Sequence, residues 1–402
     1  MINIKFLGNP FYCYSLGFSF VLFVYTWSWS YLYPKLDLNI LIFIVLSILI
    51  SVALGRVFQK RFKYSDIKVS SYNLLFTSLI VLGYICEFIY NGGIPLIMIF
   101  SGEAHSHYDF GIPTFHVFLQ TVSPFYTVYL YHQYVSNKNK LLLFYLIILF
   151  VVSILVVNRG STLMTLMSCF VIYSQKKAYI TYRAFAKLTI LLFFVFYMFG
   201  FIGFARSFKD HEDYLFEIAE AKEEFRDSFI PGEYFWFYLY ASSPLANFQN
   251  AVNDAVYIRY NLFTFIGSEL IPDFITKRII DPKDDPDKNE SGKYLIASFL
   301  TVGSMYYDPF RRMGWVGVIL IFSTLMGIMT LFSFLIKQNK PYFSTTVSIL
   351  CTIGLFSTFD NMIRFTGLSF QLIYPLIFGY FGRYYFRIKK VKLVLPKITL
   401  KY

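Results

Sequence analysis

The chain has 402 residues, of which 56% are hydrophobic, 21% aromatic and only 15% charged, with a formal net charge of +12. Soluble domains average about 25% charged residues, so this composition excludes a soluble globular class and predicts an all-α polytopic membrane protein. The four cysteines (Cys13, Cys86, Cys169, Cys351) are isolated in or beside apolar runs with no CxxC spacing, which argues against a disulfide framework or a zinc site.

The N-terminus runs straight into an apolar segment without a small-residue cleavage site, so a retained first helix is expected. A membrane span needs about 20 mostly apolar residues. That rule predicts helices at Tyr14–Tyr33, Leu38–Leu54, Tyr72–Tyr90, Pro113–Gln133, Leu141–Val157, Ser161–Ser174, Leu188–Phe204, Met313–Ile336, Phe343–Phe359 and Phe365–Gly382. Ten spans result, and two more, around residues 229–252 and at Asn261–Ile275, would give twelve without changing the orientation. The chain divides into an N-terminal bundle (1–203), a long loop (204–312) and a C-terminal bundle with a basic tail (313–402).

Basic residues set the orientation. Lys5, the run Arg56 to Lys68, Lys138, Lys140, Lys176 to Lys187, Lys337, Lys340 and the tail from Arg383 to Lys401 all fall on one side when both termini are cytoplasmic. On that side the only carboxylate is Asp66. The positive charge thus faces anionic headgroups, which removes nucleic acid as a partner.

Two extracytoplasmic segments are long. In Asn91–Ile112, Gly92, Gly93 and Pro95 break the third helix ahead of a short apolar dip, as in a re-entrant or interfacial loop. Its Glu103, His105, His107 and Asp109 read either as metal ligands or as a solvated polar tip. In the second segment, Tyr214, Ile218, Ala221 and Phe225 recur at helical spacing between acids, predicting one amphipathic helix. The stretch after it, broken at Pro231 and Pro244 and rich in Tyr and Trp, is expected as a pair of interfacial helices. Further on, Asp285 and Asp287 form a D-x-D in an exposed, proline-broken loop, which reads either as the pattern with which some sugar-nucleotide transferases hold a metal or as an acidic tip that generates it by chance.

Three arginines stand at the outer membrane edge, where charge is tolerated for a reason. Arg159 lies in a tight turn, Asn158-Arg159-Gly160, with Ser161 or Thr162 placed to cap the next helix. Arg206 leaves the seventh span and Arg364 enters the tenth. Free N–H groups at a helix start beside a guanidinium make an anion site; the other reading is that each arginine snorkels or pairs locally, Arg364 with Asp360.

The end of the long loop, Tyr294 to Gly317, combines small residues with Tyr306-Tyr307-Asp308, Arg311-Arg312 and a glycine-containing span. This resembles the O-antigen polymerase, or oligosaccharide repeat-unit polymerase (Wzy-type), family. Gly92-Gly93-Ile94-Pro95-Leu96, Asn158-Arg159-Gly160 and Tyr240 to Asn247 add to the likeness, in order along nearly the whole chain. The resemblance implies transfer of a growing glycan from undecaprenyl pyrophosphate onto a lipid-linked repeat unit at the outer face of the cytoplasmic membrane, building O-antigen or capsule. It also implies a chain-length regulator and a flippase as partners.

On that reading Arg159, Arg206, Arg312 and Arg364 hold pyrophosphate, so that cations serve without a metal or cofactor. Asp308 and His211 are the candidate bases, and Tyr240, Asn247 and Tyr307 meet glycan. Tyr234, Trp236, Tyr238, Tyr257 and Tyr260 either stack on sugars or are structural. The nearest alternative is an O-antigen ligase. A transporter or flippase would carry repeats and charges deep in its spans, whereas Glu87 is nearly the only acid within a helix. Multi-span transferases using polyprenyl phosphate sugars carry an acidic pair in a first outer loop, which Pro34–Asp37 is too short to supply.

Overall fold

The computed structural model describes residues 1–101, 110–207, 212–254, 260–279, 292–338 and 340–379, the side chains of 205–207 and 212–213 apart. His211, Tyr257, the Glu103–Asp109 cluster, the Asp285–Asp287 pair and the basic tail lie outside these residues, as does the side chain of Arg206.

The chain is an all-α membrane protein, 73% helical. A helix occupies each of the ten predicted apolar stretches: α1 Pro10–Tyr25, α2 Leu38–Arg61, α3 Asn73–Tyr90, then after a short α4 (Pro95–Phe100), α5 Phe115–Asn137, α6 Lys140–Leu155, α7 Arg159–Lys177 and α8 Tyr182–Ser207. Beyond the long loop come α14 Tyr307–Leu335, α15 Phe343–Phe356 and α16 Thr366–Gly379. The loop itself holds α9 Glu212–Ile218, α10 Glu223–Arg226, α11 Glu233–Asn253, α12 Leu262–Phe265 and α13 Asp273–Ile279. A two-stranded pairing of Ile2–Asn3 with Tyr179–Ile180 ties the N-terminus to the end of α7.

Among the described residues, four helices, α2, α3, α14 and Tyr182–Phe204 of α8, are long and apolar enough to cross a membrane, and α1, α6, α15 and α16 are shorter apolar helices. The apolar window of α8 is only 6% buried, which fits a helix facing lipid. By contrast α5 and α7 are interior: they pack on each other and on α15, and bury Thr121, Ser123, Thr127, Ser161, Thr165 and Ser168. Polar side chains are tolerated there because they find partners, such as Ser168 with Thr352 at 2.7 Å. Asn or Asp caps start α1, α2, α6 and α7, each side chain accepting from an N–H of the first turn.

The predicted basic side is one physical end of the bundle. There Ile4 bonds to Ala178, Lys176 pairs with Asp66, Tyr64 bonds to Ser136, and Ser65 reaches the Gln338 carbonyl. The other end gathers the long loop. Ser30 bonds to Ala219, Asp37 to Gln249 and Arg278 to Thr114.

Three expectations for that loop change. The amphipathic segment is two short helices, α9 and α10, because Ala221 bridges to Ser30 and Glu220 takes a positive φ of 47°. Its buried residues are Leu215, Ala219, Ala221 and Phe225, with Ile218 half-buried, while Tyr214 is exposed. The Pro244 stretch is one continuous helix, α11, buried against α1, α8 and α14 instead of lying as a pair on the surface. Lastly, Asn261–Ile275 is no single span: it breaks into α12, a π-helical turn at Ile266–Leu270, and α13.

Candidate functional site: a buried arginine–carboxylate cluster

The site is built where α14 meets the segment Leu262–Ile279 before it and the loop between α15 and α16. At 29 residues α14 would be over 40 Å long, more than a membrane needs. Gly314 breaks it, with φ 59° and ψ −146°, a region reserved for glycine. Beyond the break, Trp315–Leu335 supplies roughly 30 Å of span. Before it, the short arm Tyr307–Met313 folds back so tightly that a Cβ on Gly317 would sit 2.2 Å from the Pro309 carbonyl. That arm carries Asp308, Arg311 and Arg312 on one helical face.

Arg311 and Arg312 are buried at 1% and 3% exposure, a costly position for guanidinia unless they are paired. Arg312 donates to and ion-pairs with Glu269, which is itself fully buried. Arg311 pairs with Asp308 at 3.3 Å and lies over the rings of Tyr294 and Tyr307, 5.4 and 5.2 Å from their centres. Arg312 lies 5.2 Å over Tyr260, whose N–H donates to the Arg312 carbonyl. These rings give the cations polarisable surroundings.

Glu269 projects from the π-helical turn, a feature that often marks functional positions. The Asn361 amide donates to its Oε2 and to its backbone carbonyl, both at 2.9 Å. In turn the Asn361 Oδ1 accepts the N–H groups of Ile363 and Arg364, which fixes the loop between α15 and α16. Arg364 reaches back to Asp308 at 3.4 Å and to Glu269 at 3.8 Å. Asp273 closes the circuit: its N–H donates to the Arg364 carbonyl and its carboxylate accepts from the Thr366 hydroxyl and N–H.

Arg364 and Asp308 form the accessible edge, with 37% and 29% of their side chains exposed. Among the described residues, the guanidinia of Arg311, Arg312 and Arg364 pair with the carboxylates of Asp308 and Glu269, and Asp273 and Asp360 lie beside them. Burial pushes the Glu269 carboxyl up, while the Arg312 and then the Arg364 charge pull against it. For Asp273 burial also works upward, but the Thr366 hydrogen bond and the Lys277 charge leave its carboxyl below its usual range. Asp360 keeps an exposed face by area, yet enough protein crowds its carboxyl that burial pushes it up to about 6. The Asn361 N–H bond opposes that shift and the Asp308 charge adds to it.

Of the residues predicted from sequence, Asp308, Arg312 and Arg364 are brought together, with Tyr307 directly under Arg311. Arg159 is the exposed first residue of α7, capped by Asn158 and not by Ser161 or Thr162, and no carboxylate among the described residues pairs with it. Arg206 lies in the last turn of α8. The Asn247 amide is fully engaged with backbone, donating to the carbonyls of Leu300 and Val302 and accepting from Ile296 N–H, so it holds the 296–302 loop. Tyr240 belongs to an aromatic layer with Trp236 and Phe199. Sequence reasoning missed Glu269; the signal was a pair of acids four residues apart, Glu269 and Asp273, inside the otherwise apolar run Leu262–Ile275.

Chemically, the edge offers a fork of cationic donors and a carboxylate side by side. Such a site suits an anion whose charge grows during reaction. Comparison of the chain with protein-family models, with curated proteins and with solved structures finds no match in any of the three.

Proposed function

We propose that the chain is an oligosaccharide repeat-unit polymerase, a glycosyltransferase that elongates glycan on undecaprenyl pyrophosphate at the outer face of a bacterial cytoplasmic membrane. The observation that supports this reading is the cluster of Arg311, Arg312 and Arg364 at the loop end of the bundle, open to solvent through Arg364 and Asp308. In this reading ten helices cross the membrane, both termini are cytoplasmic, and the cluster lies at the depth of a lipid diphosphate.

Arg364 turns from Asp308 to the diphosphate, with Arg312 and Arg311 behind it raising the local positive potential. The bond from the anomeric carbon to the diphosphate oxygen breaks, and its electron pair leaves with the diphosphate. The acceptor hydroxyl forms the new glycosidic bond and passes its proton to Asp308, freed from one of its two arginines. A weak base suffices, because the diphosphate leaves readily when its charge is held.

The test is elongation of purified lipid-linked repeat units by the reconstituted protein. Arg364→Ala should slow it by about 10²–10³-fold, and Arg364→Lys should recover only part, since lysine lacks the forked geometry. Equal rates for Arg364→Ala and wild type would remove the proposal. A deletion strain that caps its surface lipid with single units fits a polymerase, whereas accumulation of lipid-linked polymer would assign a ligase instead.

A further inference from the structure

The first two turns of α11 cross α8 below its loop-side end. The Tyr234 hydroxyl donates to the Phe193 carbonyl at 3.3 Å, the Phe237 ring stacks on Phe196 at 3.9 Å, and Tyr240 meets Phe199 edge-on at 5.2 Å. At Gly200 the contact is backbone to backbone, since the Glu233 carbonyl leaves no room for a Cβ. At 1.5 Å per residue, Gly200 lies about 6 Å and Phe193 about 16 Å below Phe204, the last residue of the apolar stretch. The start of α11 is therefore inside the hydrocarbon of the loop-side leaflet. A hydroxyl at that depth needs an acceptor, and a helix carbonyl supplies one.

The connector from α10 into α11, residues 227–232, has a backbone suited to that setting. Arg226, Asp227 and Ser228 donate their N–H groups to the carbonyls of Lys222, Glu223 and Phe225, Ile230 donates to the Ser228 hydroxyl, and Pro231 has no N–H to place. Tyr234 and Phe235 close the next turn on the carbonyls of Pro231 and Gly232. Water would satisfy these donors without such bonds, whereas in hydrocarbon each open donor is costly. At the tip of the connector stands Phe229, 99% exposed, with exposed Pro231 after it. Glu223, Glu224 and Asp227 are exposed just before it, so the chain turns from charge to ring within two residues.

We infer that Phe229 is a lipid anchor: its ring enters the acyl chains of the loop-side leaflet beside α8 and holds α10 and α11 down on the bilayer. The inference needs α8 as a span and is independent of the polymerase reading. Continuity favours lipid over a partner protein or a second copy, because the tip adjoins a helix whose apolar window faces lipid over nearly its whole length. Glu233 is compatible with this depth, since Gly200 lies about one turn below Phe204 and a carboxylate there is within a side chain's reach of the headgroups. The height of α11 matters to the charged cluster. Its Asn247 holds the 296–302 loop, and its Pro244 carbonyl accepts from Ser304, just ahead of the arm that carries Asp308.

The experiment uses the full-length protein in phosphatidylglycerol nanodiscs, with Cys86, the exposed one of the four cysteines, changed to alanine. A nitroxide is attached at Phe229→Cys and, for reference, at Glu223→Cys, and its collisions with oxygen and with a water-soluble nickel chelate are read by electron spin resonance. A Phe-sized group favours lipid over water by about tenfold or more, so nickel should reach Phe229→Cys about tenfold less often than Glu223→Cys, while oxygen reaches it more often. Equal nickel access at the two positions puts the tip in water and overturns the inference. Shielding from oxygen and nickel together overturns it too, because a protein surface would then cover the tip. Anchoring is read separately by hydrogen exchange. Phe229→Ser, which leaves the buried packing intact, should speed exchange of the amides of residues 223–232 about tenfold. Unchanged exchange would mean that the ring holds nothing in place, and the anchor role would fall.

Discussion

Glu87 and Glu269 are both fully buried carboxylates at the loop end of the bundle, and they differ in the cation beside them. Both oxygens of Glu87 lie 3.0 Å from Nδ1 of His116, on α5. Among the described residues, the adjoining polar contact is the Asn91 amide on the Glu87 backbone carbonyl. Glu269 instead meets Arg312, Arg364 and Asn361, and through them Asp308, Arg311 and Asp273. Histidine can give up its charge and arginine cannot. A carboxylate–histidine pair can therefore sit in apolar surroundings as a neutral hydrogen-bonded pair, whereas a carboxylate–arginine pair stays ionic and must recruit further partners. The density of polar contacts around Glu269 follows from the permanence of the arginine charge, and that permanence is what an anion site requires.

Removing Arg312 tests this contrast most severely. Arg312→Ala should cost about 3–5 kcal/mol by stranding a buried carboxylate, seen as a large drop in thermal stability in detergent; adding Glu269→Gln should restore much of it. Glu87→Gln should cost less, about 1–3 kcal/mol, because His116 is left with a neutral partner. Losses of equal size at the two sites would erase the distinction.

The pH dependence sharpens it further. With Asp360 pushed up to about 6, its contribution to stability is fully present below its unfolded value in the ordinary carboxylate range and is lost as pH rises through 6. The same ionisation adds a negative charge beside Arg364, so an anion whose own charge is constant over this range, such as sulfate, should bind more tightly at pH 5 than at pH 7 by calorimetry. Asp360→Asn should flatten that slope, and a slope that survives would assign it elsewhere. Smallest of all, Arg159→Ala should change stability by less than about 1 kcal/mol, as for an exposed charge. Shortened glycan ladders in that variant would bring Arg159 back into the site.

Much of the bundle was legible in the residues because lipid demands long apolar runs, and each predicted run holds a helix. That several basic segments share one end was legible too, as the contacts of Ile4, Ser65 and Lys176 show. The long loop was not, since its order comes from distant partners. Pro244 interrupts no helix, because α11 is held by α1, α8 and α14, and the carbonyl of Pro244 itself accepts from Ser304. Ala221 leaves a helical stripe only because Ser30, far earlier in the chain, pairs with it. Asp308 and Arg364 were visible as charges at the membrane edge, but Glu269 hid in a run whose hydrophobicity mimics a span.

Gly314 separates two jobs within one continuous piece of sequence. Lipid thickness acts on Trp315–Leu335, and the charged arm before the corner does not share that load. A lineage moving to a thicker bilayer can lengthen this helix at its far end while Arg311 and Arg312 keep their register with Glu269 and Asp308. Any residue with a side chain at the corner would straighten the backbone and couple bilayer thickness to the aim of the arginines.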